Sequence, residues 1–156
     1  ITVNNLPEIF VYFPLHLNPE LTINTLGGKY SDQLDAIESL SEIIPRDWTI
    51  IVKENPKQGS QQRGGNFFNR LLSLNNTLYA SKETSTYLLL EHCQFTATVT
   101  GTVGWESITG LKPVLTFGYA WYNMLPGVIQ YRNNITINEI MEAEIHKKDL
   151  QKEYNK

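Results

Sequence analysis

Short runs of β-branched and aromatic residues alternate with stretches of helical periodicity along this chain. Five of these runs are predicted strands: Ile9–Phe13, Trp48–Val52, Thr77–Ala80, Phe95–Thr100 and Pro113–Phe117. The predicted helices are Tyr30–Ile44, Phe67–Leu74, Thr84–His92, Trp105–Thr109 and the charged tail Asn138–Tyr154, with a loop at Asn55–Gly65. Strands separated by helices of this length form parallel sheets with right-handed crossovers. The sequence therefore predicts one α/β domain over residues 1–156, a Rossmann-like parallel sheet flanked by helices.

Composition and charge narrow the function classes. The 156 residues are 41% apolar and 19% charged, which is typical of a globular chain. A net charge of −3 argues against binding of nucleic acid by bulk charge. Cys93 lies beside His92 without a second pair of ligands, so no metal site is predicted. No apolar run approaches the roughly 20 residues that cross a bilayer. We expect a cytoplasmic domain, associated at most peripherally with the inner face of the cytoplasmic membrane.

Ligands of parallel α/β sheets bind beyond the carboxyl ends of the strands. Four segments follow predicted strands and are the candidate binding loops: Pro14–Glu20, Lys53–Pro56, Gly101–Glu106 and Gly118–Tyr122. We expect the site to be assembled from these loops.

The segment after the fourth predicted strand carries the strongest signal. Gly101 and Gly104 allow a tight turn and a close backbone approach to a ligand, and Thr100 and Thr102 add hydroxyl groups. We expect the amides of residues 101–104 to open a helix at the rim of the sheet and to face an open cleft that suits a phosphate. Glu106, in the first turn, suits ribose hydroxyls. Alternatively, the glycines only make a tight turn and Glu106 only complements the helix dipole.

The loops after the first two predicted strands carry ionisable side chains. Lys53 and Glu54 suit phosphate binding or proton transfer, or else form a solvated ion pair. His16 has a side chain type that exchanges protons near neutral pH, and Glu20 is placed to orient it or to act as a base. A hydrogen-bonded structural histidine is the alternative reading of the same pattern.

Aromatic residues follow the fifth predicted strand. Tyr119, Trp121 and Tyr122 either stack on a base or sugar or cover the end of the sheet.

Three segments taken together resemble a known family. They are FPLHLNPE from residue 13, VKENP from residue 52, and TGTVGWESITGLKPVLTFGYAWY from residue 100. Over Ile9–Val128 the chain resembles the bacterial capsule polysaccharide biosynthesis family, which includes the 3-deoxy-manno-octulosonate (Kdo) transferases of capsule export. The resemblance implies the C-terminal, donor-binding half of a metal-independent glycosyltransferase of GT-B architecture. The chain begins at Ile1 without methionine, so we expect an acceptor-binding domain to precede it in a longer protein.

The resemblance also implies roles for individual residues. Lys53, Glu54 and Pro56 match a KEHP motif in which Asn55 replaces the histidine, and Asn cannot carry a proton at neutral pH. The expected catalytic residues are His16, Glu20 and Glu54. The expected donor-binding residues are Lys53, Asn55, Pro56, Thr100, Gly101, Thr102, Gly104, Glu106 and Tyr119.

The expected partners are a nucleotide sugar and a glycan acceptor. The base of the donor stays open, with a CMP-linked sugar as one candidate, and no metal or other cofactor is expected. Two other functions fit the same pattern: a nucleotide-sugar epimerase of similar shape, and a degenerate, non-catalytic module that binds a glycan or a partner chain.

Overall fold

A computed structural model describes residues 5–16, 33–57 and 64–143. Within these ranges the strands are β1 (Phe10–Pro14), β2 (Thr49–Lys53), β3 (Thr77–Ala80), β4 (Thr96–Thr98), β5 (Val114–Thr116) and β6 (Val128–Gln130). The helices are α1 (Gln33–Ile43), α2 (Gly64–Leu72), α3 (Thr86–His92), α4 (Val103–Thr109) and α5 (Ile137–Met141). None of the helices in the described ranges combines the length and the apolar character needed to span a bilayer.

The described strands form one parallel sheet in the order β3-β2-β1-β4-β5-β6. From β1 the chain first adds strands towards one edge and then returns to add β4, β5 and β6 on the other side. Strand order therefore reverses between β1 and β4, and a reversal of this kind leaves a crevice at the carboxyl ends of the two strands. The predicted Rossmann-like parallel sheet is confirmed.

Strand β1 lies at the centre of the sheet and is buried on both faces. Val11 and Phe13 pack in the larger apolar cluster, which includes the buried side of α1. Phe10 and Tyr12 point to the opposite face and pack with Leu89 of α3. A strand covered by helices on both faces has no solvent side, which explains its continuous apolar run.

The structure corrects some predicted elements. Strand β6 was not predicted, because three residues after Pro126 and Gly127 give too short a pattern, and it forms by parallel pairing with β5. Helix α2 begins at Gly64, inside the predicted loop. The predicted tail helix begins within one residue of α5 but is too long in its described part, because α5 ends at Met141; Ile140 is the buried residue of α5. Residues 30–32 and 144–154 of the predicted helices lie outside the described ranges.

Candidate functional site

A pocket of about 270 Å³ lies where the carboxyl ends of β1 and β4 meet. Its walls come from the loops after β1, β2, β4 and β5, as the sequence predicted for a site in this fold. The residues that line it are Pro14, Leu15, His16, Asn55, Thr98, Thr100, Gly101, Thr102, Val103 and Trp121.

His16 forms one wall of this pocket and is held at both its backbone and its ring. Its N–H donates to Gln33 Oε1 at 2.6 Å, and Gln33 Nε2 donates to the His16 carbonyl at 3.3 Å. Ring atom Nε2 accepts from the Thr100 N–H at 3.3 Å and lies 3.3 Å from Thr98 Oγ1. An amide donor requires a lone pair on Nε2, so the neutral ring carries its proton on Nδ1. Proton transfer at Nε2 would first have to break the bond to Thr100.

The backbone amides of residues 101–104 divide into two pairs. The Gly101 N–H donates to Thr98 Oγ1 at 3.1 Å, and the Gly104 N–H donates to the Gly101 carbonyl at 3.2 Å. For the N–H groups of Thr102 and Val103, the described part of the chain supplies no acceptor. The expectation that all four amides face a cleft is therefore wrong for Gly101 and Gly104. Thr102 and Val103 line the pocket, and their N–H groups have no acceptor among the described residues.

Gly104 makes room for a side chain. Tyr122 is buried, and its hydroxyl donates to the Gly101 carbonyl. A Cβ atom at residue 104 would lie 2.5 Å from Tyr122 Cζ and 2.7 Å from Cε2. Burial raises the pKa of Tyr122 well above its ordinary value, so the phenol stays protonated and can donate. Packing of Tyr122 thus accounts for a glycine at residue 104, and the expected donor-binding role of Gly104 stays a prediction.

A smaller pocket of about 80 Å³ lies beside the first and shares Pro14, Leu15, Asn55 and Val103 with it. Lys53, the last residue of β2, is 5% exposed, and its Nζ donates to Thr86 Oγ1 at 2.6 Å. Within the described residues Lys53 has no carboxylate partner.

The electrostatic setting of this smaller pocket follows from burial. Desolvation lowers the pKa of Lys53, because a buried ammonium loses hydration. Burial also raises the pKa of Tyr12 to about 12, and Thr86 lowers it in part by a side-chain hydrogen bond. The pocket therefore combines the Lys53 ammonium, two neutral hydroxyl groups and the carboxylate of Glu54, which forms no ion pair with Lys53 among the described residues.

Glu54 and Asn55 brace the loop that follows Lys53. The buried Glu54 accepts from Tyr79 Oη at 2.9 Å through one oxygen and from the Asn55 N–H at 2.8 Å through the other. Asn55 Oδ1 accepts from the Lys57 N–H at 3.0 Å, and Asn55 Nδ2 lies 3.5 Å from the Leu15 carbonyl. Both carboxylate oxygens of Glu54 are thus engaged, and Asn55 connects the loops after β1 and β2.

The predicted site residues fall into three groups. The pocket of about 270 Å³, called the larger of the two adjoining pockets, is lined by His16, Asn55, Thr100, Gly101 and Thr102. The adjoining pocket of about 80 Å³ is lined by Lys53, Glu54, Asn55 and Pro56. Glu106 lines a separate surface pocket of about 380 Å³ between α3 and α4, and Tyr119 lines none of these three. Glu20 lies outside the described residues. Their catalytic and donor-binding roles stay predictions.

The structure adds residues that the sequence pattern did not single out. Thr98 contacts His16 and caps the Gly101 amide, while Thr86 and Tyr12 complete the surroundings of Lys53. Thr98 was hidden within a β-rich run, and Thr86 within a helix. Only the strand order, which brings β1 between β2 and β4, makes these residues neighbours. Among the described residues, no three His, Cys, Asp or Glu side chains converge as metal ligands.

Solved structures share this fold. KpsC from Thermosulfurimonas dismutans, a beta Kdo 2,7 transferase, matches with a TM-score of 0.64 and 18% identity, over 85% of this chain and 42% of its own. UDP-GlcNAc 2-epimerase from Methanocaldococcus jannaschii matches with a TM-score of 0.62 and 16% identity, over 92% of this chain and 41% of its own. The same epimerase in complex with UDP-GlcNAc and UDP gives a TM-score of 0.54 at 19% identity, over 87% and 38%. The chain thus spans about two-fifths of the length of these enzymes.

A search of curated proteins finds no matching sequence. The family model described as capsule polysaccharide biosynthesis protein matches residues 3–152. That match covers nearly the whole chain. It agrees with the fold shared with KpsC and with the pocket at the carboxyl ends of β1 and β4. The chain belongs to the capsule polysaccharide biosynthesis protein family.

Proposed function

We propose that this chain is the nucleotide-sugar-binding half of a glycosyltransferase that builds capsular or other surface polysaccharide. The donor would bind across the two adjoining pockets at the β1–β4 crevice, with its anionic part against Lys53. Family membership and the fold shared with a Kdo transferase support the reaction class. The UDP-GlcNAc complex of the epimerase with this fold supports the ligand class.

One observation carries the proposal: the buried ammonium of Lys53. A lysine that is 5% exposed, donates to the Thr86 hydroxyl and has no ion-pair partner among the described residues is costly, because its hydration is lost without a paired negative charge. It lies at the carboxyl end of β2 beside a pocket that has room for a small group. An anionic ligand such as a phosphate would supply the missing charge. The buried charge lowers the stability of the ligand-free protein, and binding sites commonly sacrifice stability in this way for affinity.

The same arrangement suits the chemistry of glycosyl transfer. Negative charge builds up on the leaving phosphate as the bond to the sugar breaks, and preorganised donors stabilise that charge. Lys53 supplies a positive charge, and the Thr102 and Val103 amides, which have no acceptor among the described residues, supply donors in the adjoining pocket. No metal is required in this scheme.

Deprotonation of the acceptor would depend on a group outside the described loops. Asn55 cannot carry a proton, and both oxygens of Glu54 are held by donors. We therefore assign acceptor binding and the base to a second domain, so that the isolated chain binds the donor but transfers little or no sugar. The glycan acceptor and a site of action at the inner face of the cytoplasmic membrane belong to the same proposal.

Replacing Lys53 separates binding from stability. Lys53→Met removes the charge and keeps most of the volume. Nucleotide affinity should fall roughly tenfold or more, as for loss of a charge-assisted hydrogen bond. The domain itself should gain about 1 kcal/mol, because a buried unpaired charge is removed. Isothermal titration with CMP, UDP and GDP, together with urea denaturation, measures both changes.

Lys57→Met is the matched control, because Lys57 is exposed and lies in the same loop. It should leave affinity within about twofold and stability unchanged, as expected for a surface substitution. If the folded wild-type domain binds none of the three nucleotides at millimolar concentration, the proposal fails. Equal affinity of the two variants would remove Lys53 from the site.

A nucleotide-sugar epimerase is the second candidate, favoured by the TM-score of 0.62 to the UDP-GlcNAc 2-epimerase. The two candidates differ in whether an acceptor is consumed. An epimerase converts the free nucleotide sugar to its epimer, whereas a transferase releases the nucleotide only when an acceptor is present. Proton NMR of UDP-GlcNAc incubated with the complete natural protein distinguishes them by the sugar signals.

A further inference from the structure

The loop after β5 presents large apolar side chains to solvent. Trp121 is 68% exposed, and Tyr119, two residues earlier, is 71% exposed. Trp121 lines the larger pocket, whereas Tyr119 does not. An exposed indole at the wall of a polar pocket is apolar surface available to a ligand.

This loop is fixed by side-chain hydrogen bonds on both sides of Trp121. Asn123 Oδ1 accepts from the Ala120 N–H at 3.3 Å, and Asn123 Nδ2 donates to the Gly118 carbonyl at 3.2 Å. The next residue, Tyr122, is buried and donates its hydroxyl to the Gly101 carbonyl. The backbone of Trp121 is therefore tied to the same turn that lines the pocket.

The indole of Trp121 also packs against two aromatic rings, those of Trp105 and Tyr122. Its ring centroid lies 5.2 Å from that of Trp105, at an interplanar angle of 44°. Tyr122 contacts it edge-on, with centroids 5.4 Å apart. These contacts restrict the indole before a ligand arrives, so that less conformational entropy is lost on binding.

We propose that Trp121 is the stacking residue of the nucleotide-sugar site and receives the flat face of one ring of the ligand, the base or the sugar. The inference rests on the proposed function and deepens it. The larger pocket is about 270 Å³ and the Lys53 pocket about 80 Å³, so a ring belongs in the former and a small anionic group in the latter. Tyr119 is also expected to bind the donor, but the pocket favours Trp121, because Trp121 lines it and Tyr119 does not.

The test compares Trp121→Ala with Tyr119→Ala, two aromatic truncations of similar exposure in one loop. Binding is measured by isothermal titration, first with CMP, UDP and GDP, then with UDP-GlcNAc and a CMP-linked sugar. Trp121→Ala should weaken binding roughly tenfold or more, the size of one lost stacking interaction. Tyr119→Ala should stay within about twofold of wild type. Trp121→Phe, which keeps a smaller ring, should recover part of the loss.

The ligand series identifies the ring. Equal losses for nucleotides and nucleotide sugars assign Trp121 to the base, and a loss confined to nucleotide sugars assigns it to the sugar. Wild-type binding that Trp121→Ala leaves unchanged overturns this inference and spares the proposed function. Failure of the folded wild-type domain to bind any of these ligands overturns both. Near-ultraviolet circular dichroism and the urea midpoint of each variant show whether the domain keeps its fold.

Discussion

The two ends of α4 use glycine in opposite ways. At the amino end, the space around Gly101 and Gly104 is filled by side chains from the loop after β1, from β4 and from the loop after β5. At the carboxyl end, a Cβ atom on Gly110 would meet its nearest atoms at 3.5 and 3.6 Å, which is ordinary contact. The next residue, Leu111, has φ of 63°, a conformation that usually calls for glycine. At the carboxyl end, glycine therefore occupies residue 110, where a side chain would fit. Leucine occupies residue 111, where glycine would adopt the left-handed backbone conformation with less strain.

This contrast shows what maintains each turn. The amino end is shaped by tertiary contacts, because Tyr122 and His16 occupy the volume that a side chain would need. The carboxyl end closes locally: Leu111 N–H donates to the Ile108 carbonyl and Lys112 N–H to the Ser107 carbonyl, both at 2.9 Å. These two bonds form a Schellman motif. The amino end should therefore respond strongly to substitution, and the carboxyl end should tolerate it.

Gly104→Ala is expected to have the largest effect. The added Cβ would overlap the Tyr122 ring, forcing the buried phenol to move and to lose its bond to the Gly101 carbonyl. Overpacking of this kind costs about 2–3 kcal/mol, and the better helix propensity of alanine returns at most about 1 kcal/mol. Urea denaturation should show a clear fall in the unfolding midpoint.

Gly110→Ala is the matched control, since the same atom is added at the other end of the same helix. Its effect should stay within about 0.5 kcal/mol. Equal midpoints for the two variants would mean that Tyr122 does not occupy the space above Gly104 in solution.

Gly101→Ala should have an intermediate effect. Its Cβ would lie 2.9 Å from Thr98 Oγ1 and 3.0 Å from His16 Cε1, so two side chains must yield by small shifts. We expect a loss of about 1–2 kcal/mol and a displaced His16 ring. In a His16→Ala background the same substitution should cost less, because one of the colliding atoms is gone. A double-mutant cycle by urea denaturation measures the coupling, and purely additive losses would contradict the contact.

The sheet was predictable from the chain because its signals are local. Runs such as Ile9–Phe13 and Trp48–Val52 need burial on both faces, and helices of suitable length separate them. The structure places β1 and β2 within one residue of these bounds. Strand β6 escaped prediction because Val128–Gln130 is a strand only by virtue of β5 beside it.

The site was predictable in position and less so in detail. Fold logic led to the loops after β1, β2, β4 and β5, which do line the pocket. The donor-binding role expected for Tyr119 stays a prediction; the structure shows that Trp121 and not Tyr119 lines the pocket, and which aromatic ring faces a pocket depends on how the loop is anchored. Likewise, the local sequence around Gly104 is typical of a glycine that faces a ligand. Tyr122, 18 positions later in the chain, fills that space, and the sequence pattern does not show this contact.

Apart from the Gly110→Ala control, Leu111→Gly is expected to have the smallest effect, and its sign is opposite. A non-glycine residue in the left-handed region costs about 1–2 kcal/mol, and the glycine entropy cost of about 0.5–1 kcal/mol offsets part of the gain. Leu111 is partly exposed, so little apolar burial is lost with its side chain. The urea midpoint should rise by an amount equivalent to about 0.5–1 kcal/mol. Leu111→Ala keeps the Cβ atom and the strain, so it should not stabilise the domain. Equal midpoints for the glycine and alanine variants would show that the turn after α4 relaxes in solution, and would remove the contrast between its two ends.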